Sequence, residues 1–214
     1  MAFVAGSLGQ VGHSPSEEHW RRAMETLRYV RSSLDLTLVF SGSDNYDLVG
    51  YADADWAADL ETAKSMWGYV FFMGGVPISW KSKKSKTLTA TSSTMSEIEG
   101  LYNTAIEGEF LIDLMISLGL VKNRKFTVYQ DNKAAIAVVN GEKFLDRTKS
   151  LVTKVAYLRD LVQQEVMEVK YIETGQMTAD IFTKSLGKNL FEKHVKSLCL
   201  ENKKTEDMQD EGEC

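Results

Sequence analysis

The order of its hydrophobic patterns limits the fold of this 214-residue chain more than any other feature. Three strand-like runs follow one another at Leu48–Trp56, Met66–Met73 and Val76–Lys81, and Gly74-Gly75 supplies a hairpin turn between the last two. Strands and helices alternate beyond them, which gives the order β-β-β-α-β-α-β-α. A meander followed by such alternation predicts an α/β fold with a mixed five-stranded sheet flanked by helices.

Helical and strand periodicity define the later elements. The longest predicted helix, Thr94–Leu118, carries Ile98, Leu101, Ala105, Ile112 and Met115 on one stripe. The elements predicted after it are the strand Phe126–Gln130, the helix Asn132–Val139, the helix Arg147–Gln164, the strand Val166–Ile172 and a final helical part that starts with Ala179–Ser185.

Composition predicts three parts of the chain. The polar residues Ser41–Asn45 indicate a loop, and Ser16–Leu34 before it is predicted as a helix. We expect an N-terminal segment over 1–44 that cannot bury itself alone, a domain over 45–200, and a disordered acidic tail over 201–214. The tail has six acidic residues and two lysines, so it carries most of the net charge of −5. A nearly neutral body is compatible with a basic, nucleic-acid-binding face.

The rest of the composition indicates an intracellular protein. No run approaches the roughly 20 apolar residues that cross a bilayer, and the N-terminus lacks the basic region of a signal peptide. Cys199 and Cys214 have no spacing typical of a disulfide framework or a zinc site. We expect a cytoplasmic or nuclear location, no membrane contact and no small-molecule cofactor.

Four acidic residues stand where strands end or helices begin: Asp53, Glu97, Asp131 and Asp180. In an open α/β sheet, such positions converge on one crevice. Clustered carboxylates repel one another unless a cation neutralises them, and Mg²⁺ prefers oxygen ligands. Two such ions serve the hydrolysis of a phosphodiester.

Structural explanations for the same acids stay open at this point. Glu97 would complete a capping box with Thr94, while Asp131 and Asp180 would favour helix starts. Asp53 is disfavoured in the middle of a strand, yet Asp55 shares its face and is a rival candidate.

Six short strings follow one another over roughly residues 46–186. They are Gly50-Tyr51-Ala52-Asp53-Ala54-Asp55-Trp56-Ala57, Gly68-Tyr69-Val70-Phe71, Ile78-Ser79-Trp80-Lys81-Ser82-Lys83-Lys84, Ser92-Ser93-Thr94-Met95-Ser96-Glu97, Asp131-Asn132-Lys133-Ala134-Ala135-Ile136 and Ala179-Asp180-Ile181-Phe182-Thr183-Lys184. In this order they resemble the ribonuclease H domain of copia-type retrotransposon Pol polyproteins. Two further strings, Glu18-His19-Trp20-Arg21-Arg22-Ala23 and Leu27-Arg28-Tyr29-Val30, resemble the end of the reverse transcriptase that precedes it.

The resemblance implies an RNase H-like fold and hydrolysis of the RNA strand of RNA–DNA hybrids with two Mg²⁺ ions, for which Mn²⁺ would substitute. Asp53 would bridge both ions, Glu97 and Asp131 would hold the ion on the leaving-group side, and Asp180 would hold the ion of the attacking water. It also implies a fragment of a longer polyprotein, a reverse transcriptase polymerase domain as a second partner, and virus-like particles as the location for an active element. No polymerase Tyr-x-Asp-Asp motif occurs in the chain.

Basic residues complete the predicted site. Lys81, Lys83 and Lys84 follow Trp80 and are expected to contact phosphates, as are Arg147 and Lys149. Protection of an edge strand against aggregation explains the lysine run equally well. Trp56, Trp67, Tyr69 and Phe71 are predicted to be core residues.

Two other functions remain alternatives. The family commonly has a His before Arg147, another after Lys149 and a third near Ala156, and this chain has none of them. Their loss is compatible with an inactive or domesticated remnant that keeps the fold as a nucleic-acid or protein interaction module. An integrase-like or resolvase-like nuclease is a third hypothesis, which the motif strings do not favour.

Overall fold

The arrangement of the sheet follows from a central strand rich in small and apolar residues. A computed structural model of the chain describes residues 1–40, 45–56, 64–85, 92–142, 149–198 and 200–202. In it, β2 (Leu48–Asp55) pairs antiparallel with β3 (Met66–Met73) and parallel with β5 (Phe126–Gln130). The edges are β4 (Val76–Lys84) and β6 (Met167–Tyr171), in the spatial order β4-β3-β2-β5-β6. The predicted mixed five-stranded sheet is confirmed.

One face of the sheet is covered by helices. α3 (Ser93–Ser117) packs against β2 and β3, and α4 (Lys133–Val139) and α5 (Lys149–Gln163) pack against α3. The predicted apolar stripe of α3 is buried throughout, and it forms the main core with Trp67, Tyr69 and Phe71 of β3. Gly108 allows α3 to approach the sheet closely, since a Cβ there would lie 2.4 Å from the ring of Phe126.

The other face of the sheet carries the C-terminal elements. After the short 3₁₀ helix η1 (Thr174–Gln176), the 3₁₀ helix η2 (Thr178–Phe182) packs on β2 and β3. Phe182 joins Val70 and Phe72 in a second, smaller apolar cluster. The chain then forms α6 (Lys188–Ser197). The final helical part therefore begins as a 3₁₀ helix rather than an α-helix.

The N-terminal segment forms α1 (Ala2–Gln10), which the sequence did not predict, α2 (Glu17–Ser32) and β1 (Leu36–Leu38). β1 pairs antiparallel with β7 (Leu200–Asn202), so the N-terminal segment pairs with the residues that follow α6. No described residue of α2 is buried. The division at residues 44 and 200 stays a prediction, and residues 203–214 of the expected tail lie outside the described residues.

Two further findings concern individual predictions. Trp67, Tyr69 and Phe71 are buried as predicted, but Trp56 is 48% exposed because it follows the last residue of β2. None of the described helices combines the length and apolar character that crossing a membrane requires.

Candidate active site

The site forms where two parallel strands end side by side. Asp53 lies near the carboxyl end of β2, and Asp131 directly follows the carboxyl end of β5. β2 and β5 are neighbours and run in the same direction, so these two residues emerge at one edge of the sheet. Asp53 is 2% exposed, while Asp131 is only partly buried.

Glu97 reaches this edge from the first turns of α3. The hydroxyl of Ser92 caps the helix by accepting a hydrogen bond from the Met95 N–H at 3.3 Å. Gly100 then lets α3 lie close to β2, because a Cβ there would be 3.3 Å from the carbonyl oxygen of Asp53. The buried Glu97 side chain therefore points to the site, and the capping box with Thr94 proposed from the sequence is wrong.

Three carboxylates converge as a result. Asp53, Glu97 and Asp131 each offer a ligand oxygen, and these oxygens lie within 4.8 Å of one another. Gln130, which is fully buried, forms hydrogen bonds with the Glu97 carboxylate and with the backbone of Asp131. Its Nε2 donates to Glu97 Oε2 at 3.2 Å, while its Oε1 accepts from the Asp131 N–H at 2.7 Å. The same oxygen also accepts from the Asn132 N–H, at 2.9 Å.

Asp180 approaches the cluster from η2. Gly68 faces Asp53 across the β2–β3 pair, and a Cβ on Gly68 would lie 2.7 Å from the Cβ of Phe182. A side chain at this position would therefore hold η2 away from the sheet. With glycine there, the Thr183 hydroxyl donates a hydrogen bond to Asp53 Oδ2, and Lys184 forms ion pairs with both Asp53 and Asp180.

Lys184 is the cation of this part of the site. Its Nζ lies 2.9 Å from Asp180 Oδ1 and 3.6 Å from Asp53 Oδ2. Burial by itself would lower the pKa of Lys184, but the nearby charges, that of Asp53 first, raise it overall. The lysine is therefore a firmly protonated counter-ion to two carboxylates.

Burial dominates the electrostatics of the acids. It raises the pKa of Glu97 to about 9, with the charges of Asp53 and Asp131 adding to the effect. It raises the pKa of Asp180 to about 7, again with a contribution from Asp53. Burial also raises the pKa of Asp53, against the opposing charge of Lys184 and the hydrogen bond from Thr183. The protein thus holds these carboxylates together at a cost in stability.

The competing structural explanations fail for Glu97, Asp131 and Asp55, but the one for Asp180 holds in part. The N-cap of α4 is Asn132, whose side chain accepts from the Ala135 N–H at 3.0 Å, so Asp131 does not cap this helix. The N-cap of η2 is Met177, but Asp180 does lie in the first turn of this 3₁₀ helix, as the helix-start explanation expects. The rival Asp55 is only partly buried and lies outside the three-carboxylate group.

Three of the five predicted basic residues, Lys81, Lys83 and Lys84, lie on the edge strand β4. Lys81 and Lys83 are exposed and pair with Tyr69 and Trp67, so they lie on the face that α3 covers. Lys84 is on the opposite face, where its Nζ donates to Gln10 Oε1 of α1 at 3.0 Å. Arg147 lies outside the described residues, as does the side chain of Lys149.

Gln130, Thr183 and Lys184 were given no role by the sequence reasoning. Gln130 was predicted only as the last residue of a strand, although a polar residue directly before a candidate ligand is a usable signal. Thr183 and Lys184 stood in a quoted motif. Both contact Asp53, and Thr183 lies 130 residues from it in the sequence. These contacts depend on the path of η2, which hydrophobic periodicity does not reveal.

Sequence relatives of the chain are transposon polyproteins. The retrovirus-related Pol polyprotein from transposon TNT 1-94 of Nicotiana tabacum is 34% identical over 192 residues, which are 90% of this chain and 14% of that protein. The Pol polyprotein from transposon RE2 of Arabidopsis thaliana is 30% identical over 90% of this chain and 13% of its own length. This chain therefore spans only about an eighth to a seventh of these relatives.

A shorter relative carries a different name. Secreted RxLR effector protein 161 of Plasmopara viticola is 39% identical over 111 residues, which are 52% of this chain and 78% of that protein. No protein-family model matches the chain.

A solved structure has the same fold. LC11-RNase H1, isolated from compost by a metagenomic approach, superposes with a TM-score of 0.50 and 15% identity, over 64% of this chain and 93% of that one. Together with the sheet order, this likeness assigns the RNase H-like fold. With the Pol polyproteins matching over nine-tenths of its length, the chain belongs to the copia-type transposon Pol family, in which it represents the segment with the RNase H-like fold.

Proposed function

We propose that the chain is a metal-dependent endonuclease that hydrolyses the RNA strand of RNA–DNA hybrids. The observation that carries this proposal is the convergence of Asp53, Glu97 and Asp131, with ligand oxygens within 4.8 Å, in a largely buried place. Carboxylates that lie so near one another repel, and burial leaves them poorly solvated. A binding site for cations explains why the fold brings them together.

The donor set fits a hard divalent cation. All candidate ligands are carboxylate oxygens, which Mg²⁺ and Mn²⁺ accept, while no described Cys or His belongs to the group. The raised pKa values of Glu97 and Asp180 fit too, because a divalent cation would offset the cost of ionising both groups. Asp53, Glu97, Asp131 and Asp180 would hold two ions, which supply Lewis-acid stabilisation of the charge that develops on the phosphate.

The chain's own residues prepare the site. Gln130 holds Glu97 and the start of the Asp131 loop in place through three hydrogen bonds. Thr183 fixes one oxygen of Asp53. Ligands oriented in this way need little rearrangement when substrate arrives, which is the general basis of electrostatic preorganisation.

Recognition of the hybrid would use both charge and groove shape. Lys81 and Lys83 are exposed on the edge strand and are available for phosphate contacts. Discrimination of RNA from DNA would come from 2′-hydroxyl contacts across a wide, shallow minor groove. The net charge of −5 predicts modest affinity that weakens with salt.

A reverse transcriptase polymerase domain is the proposed second partner. Trp20 and Leu27 on α2 are 69% and 60% exposed, so this amphipathic helix leaves apolar surface uncovered. The relatives' name, Pol polyprotein, supports such a neighbour in the longer chain.

The proposal is tested with a panel of labelled substrates. We expect the purified chain to cut the RNA strand of a hybrid in Mg²⁺ or Mn²⁺, to leave duplex DNA and duplex RNA intact, and to stop in EDTA. The matched control for Asp53→Asn is Asp47→Asn, because Asp47 is an exposed aspartate directly before β2. If the folded chain binds the hybrid but does not cut it, the enzyme proposal is refuted and the interaction-module hypothesis takes its place.

A further inference from the structure

Positive charge is unevenly distributed around the acid cluster. Within the part of the chain that the structure describes, Glu97 and Asp131 form no ion pair, whereas Asp180 and Asp53 both pair with Lys184. Asp180 is also outside the group whose ligand oxygens lie within 4.8 Å of one another. The site thus has a carboxylate half, made by Asp53, Glu97 and Asp131, and a lysine half, made by Asp180, Lys184 and the Oδ2 side of Asp53.

The ammonium of Lys184 lies where a cation between Asp53 and Asp180 would have to bind. It is 2.9 Å from one carboxylate and 3.6 Å from the other, and these acids come from different elements. An ammonium and a divalent ion in this space would repel each other and compete for the same oxygens. The two cations therefore exclude each other in the lysine half.

The side chain of Lys184 can move away from the two carboxylates without unfolding of the backbone around it. Its backbone N–H is fixed to the Asp180 carbonyl at 3.1 Å, but its side chain is 31% exposed. A lysine stem is long and flexible, with several rotatable bonds between the backbone and the charge. The ammonium can rotate into solvent while η2 keeps its place on the sheet.

We propose that Lys184 is a built-in counter-cation that occupies the lysine half until a second divalent ion displaces it. The carboxylate half takes its ion freely, and the lysine half takes one only in competition with the ammonium. This inference rests on the metal site of the proposed function. It makes Lys184 a positioning residue that sets the order and the affinity of the two binding steps.

The test compares metal binding by the full chain with and without this charge. Lys184→Met keeps an unbranched stem and removes the ammonium, while Lys184→Arg keeps a cation. Lys188→Met is the matched control, because that side chain is 84% exposed on α6. The readouts are Mn²⁺ titration by calorimetry and the melting temperature in EDTA and in excess Mg²⁺.

We expect two unequal Mn²⁺ steps in the wild type, and a weaker step that tightens about tenfold or more in Lys184→Met. The melting temperature of the same variant should be lower than that of the wild type in EDTA, and excess Mg²⁺ should raise it by a larger amount. Lys184→Arg should keep the weak step, and Lys188→Met should match the wild type. An unchanged weak step in a folded Lys184→Met would overturn the proposal. If that variant does not fold, Lys184→Gln takes its place under the same criteria.

Cleavage of hybrid by the same preparations separates the two proposals. Cleavage by the wild type, with Mn²⁺ binding unchanged in Lys184→Met, refutes the role of Lys184 alone. Tightened Mn²⁺ binding without any cleavage by the wild type refutes the proposed function alone. A chain that binds no Mn²⁺ at all refutes both.

Discussion

Glu97→Gln is expected to stabilise the metal-free chain, and increasingly so as the pH rises. Burial raises the pKa of Glu97 to about 9, whereas the unfolded chain has the ordinary value near 4.5. Between these values the folded state holds a proton that the unfolded state has released. The free energy of unfolding therefore falls as the pH increases through this window, and glutamine removes that loss because it does not titrate.

The size of the effect follows from proton linkage. One proton of difference changes the free energy of unfolding by about 1.4 kcal/mol per pH unit. Between about pH 6 and 8, Glu97→Gln should thus gain up to about 3 kcal/mol over the wild type. The hydrogen bond from Gln130 survives, because a glutamine carbonyl also accepts from Nε2.

Urea-induced unfolding in EDTA at several pH values measures this difference. Glu142→Gln, at an exposed glutamate after α4, is the matched control and should follow the wild type. Parallel pH profiles for Glu97→Gln and the wild type would show that Glu97 ionises normally in the folded chain. That result would refute the claim that burial raises the pKa of Glu97. Excess Mg²⁺ should reduce the advantage of the variant, since the cation stabilises the ionised wild-type site.

Three further predictions follow from individual contacts. Gly68→Ala should cost about 1–3 kcal/mol in urea unfolding and impair cleavage, because its Cβ would press on Phe182, whereas Gly12→Ala should change neither; unimpaired cleavage would contradict the role of Gly68. His194 is fully buried, both ring nitrogens lack a partner among the described residues, and burial lowers its pKa below the ordinary 6.5. The stabilising contribution of the neutral His194 is therefore present above that pH and is lost as the pH falls. The melting temperature of His194→Met should decrease less at acidic pH than that of the wild type, while His13→Met should behave like the wild type. Replacing the exposed Trp20 and Leu27 by Gln should reduce self-association, as measured by sedimentation velocity. If the variant associates as strongly as the wild type, the exposed apolar surface of α2 is not the cause of association.

The sheet and main helices were predictable because their signals are local. Met66–Met73 and Phe126–Gln130 coincide with the predicted strands, since each is a short apolar run with clear breaks at its ends. The stripe of α3 follows from helical periodicity. α1 escaped prediction because its small and apolar residues show no amphipathic pattern, and its place depends on contacts with β4.

The convergence of Asp53, Glu97 and Asp131 was predictable from their places on strands and helices, but the way they are held was not. The topology rule that brings strand ends together placed Asp53 and Asp131 correctly at one edge. The division into two halves depends on Lys184, on Thr183 and on the small size of Gly68. These are contacts between distant segments, and no periodic pattern in the sequence encodes them. Trp56 was wrongly assigned to the core because alternation does not reveal where a strand ends.

Single-turnover cleavage of an RNA–DNA hybrid in Mg²⁺ by the wild type and by four single variants tests the central claim most directly. The variants are Asp53→Asn, Glu97→Gln, Asp131→Asn and Asp180→Asn. We predict that each loses at least about 100-fold in rate, while its affinity for the hybrid changes only a few-fold. Cleavage by Asp53→Asn at the wild-type rate, or no cleavage by a folded wild type that binds the hybrid, would contradict the account.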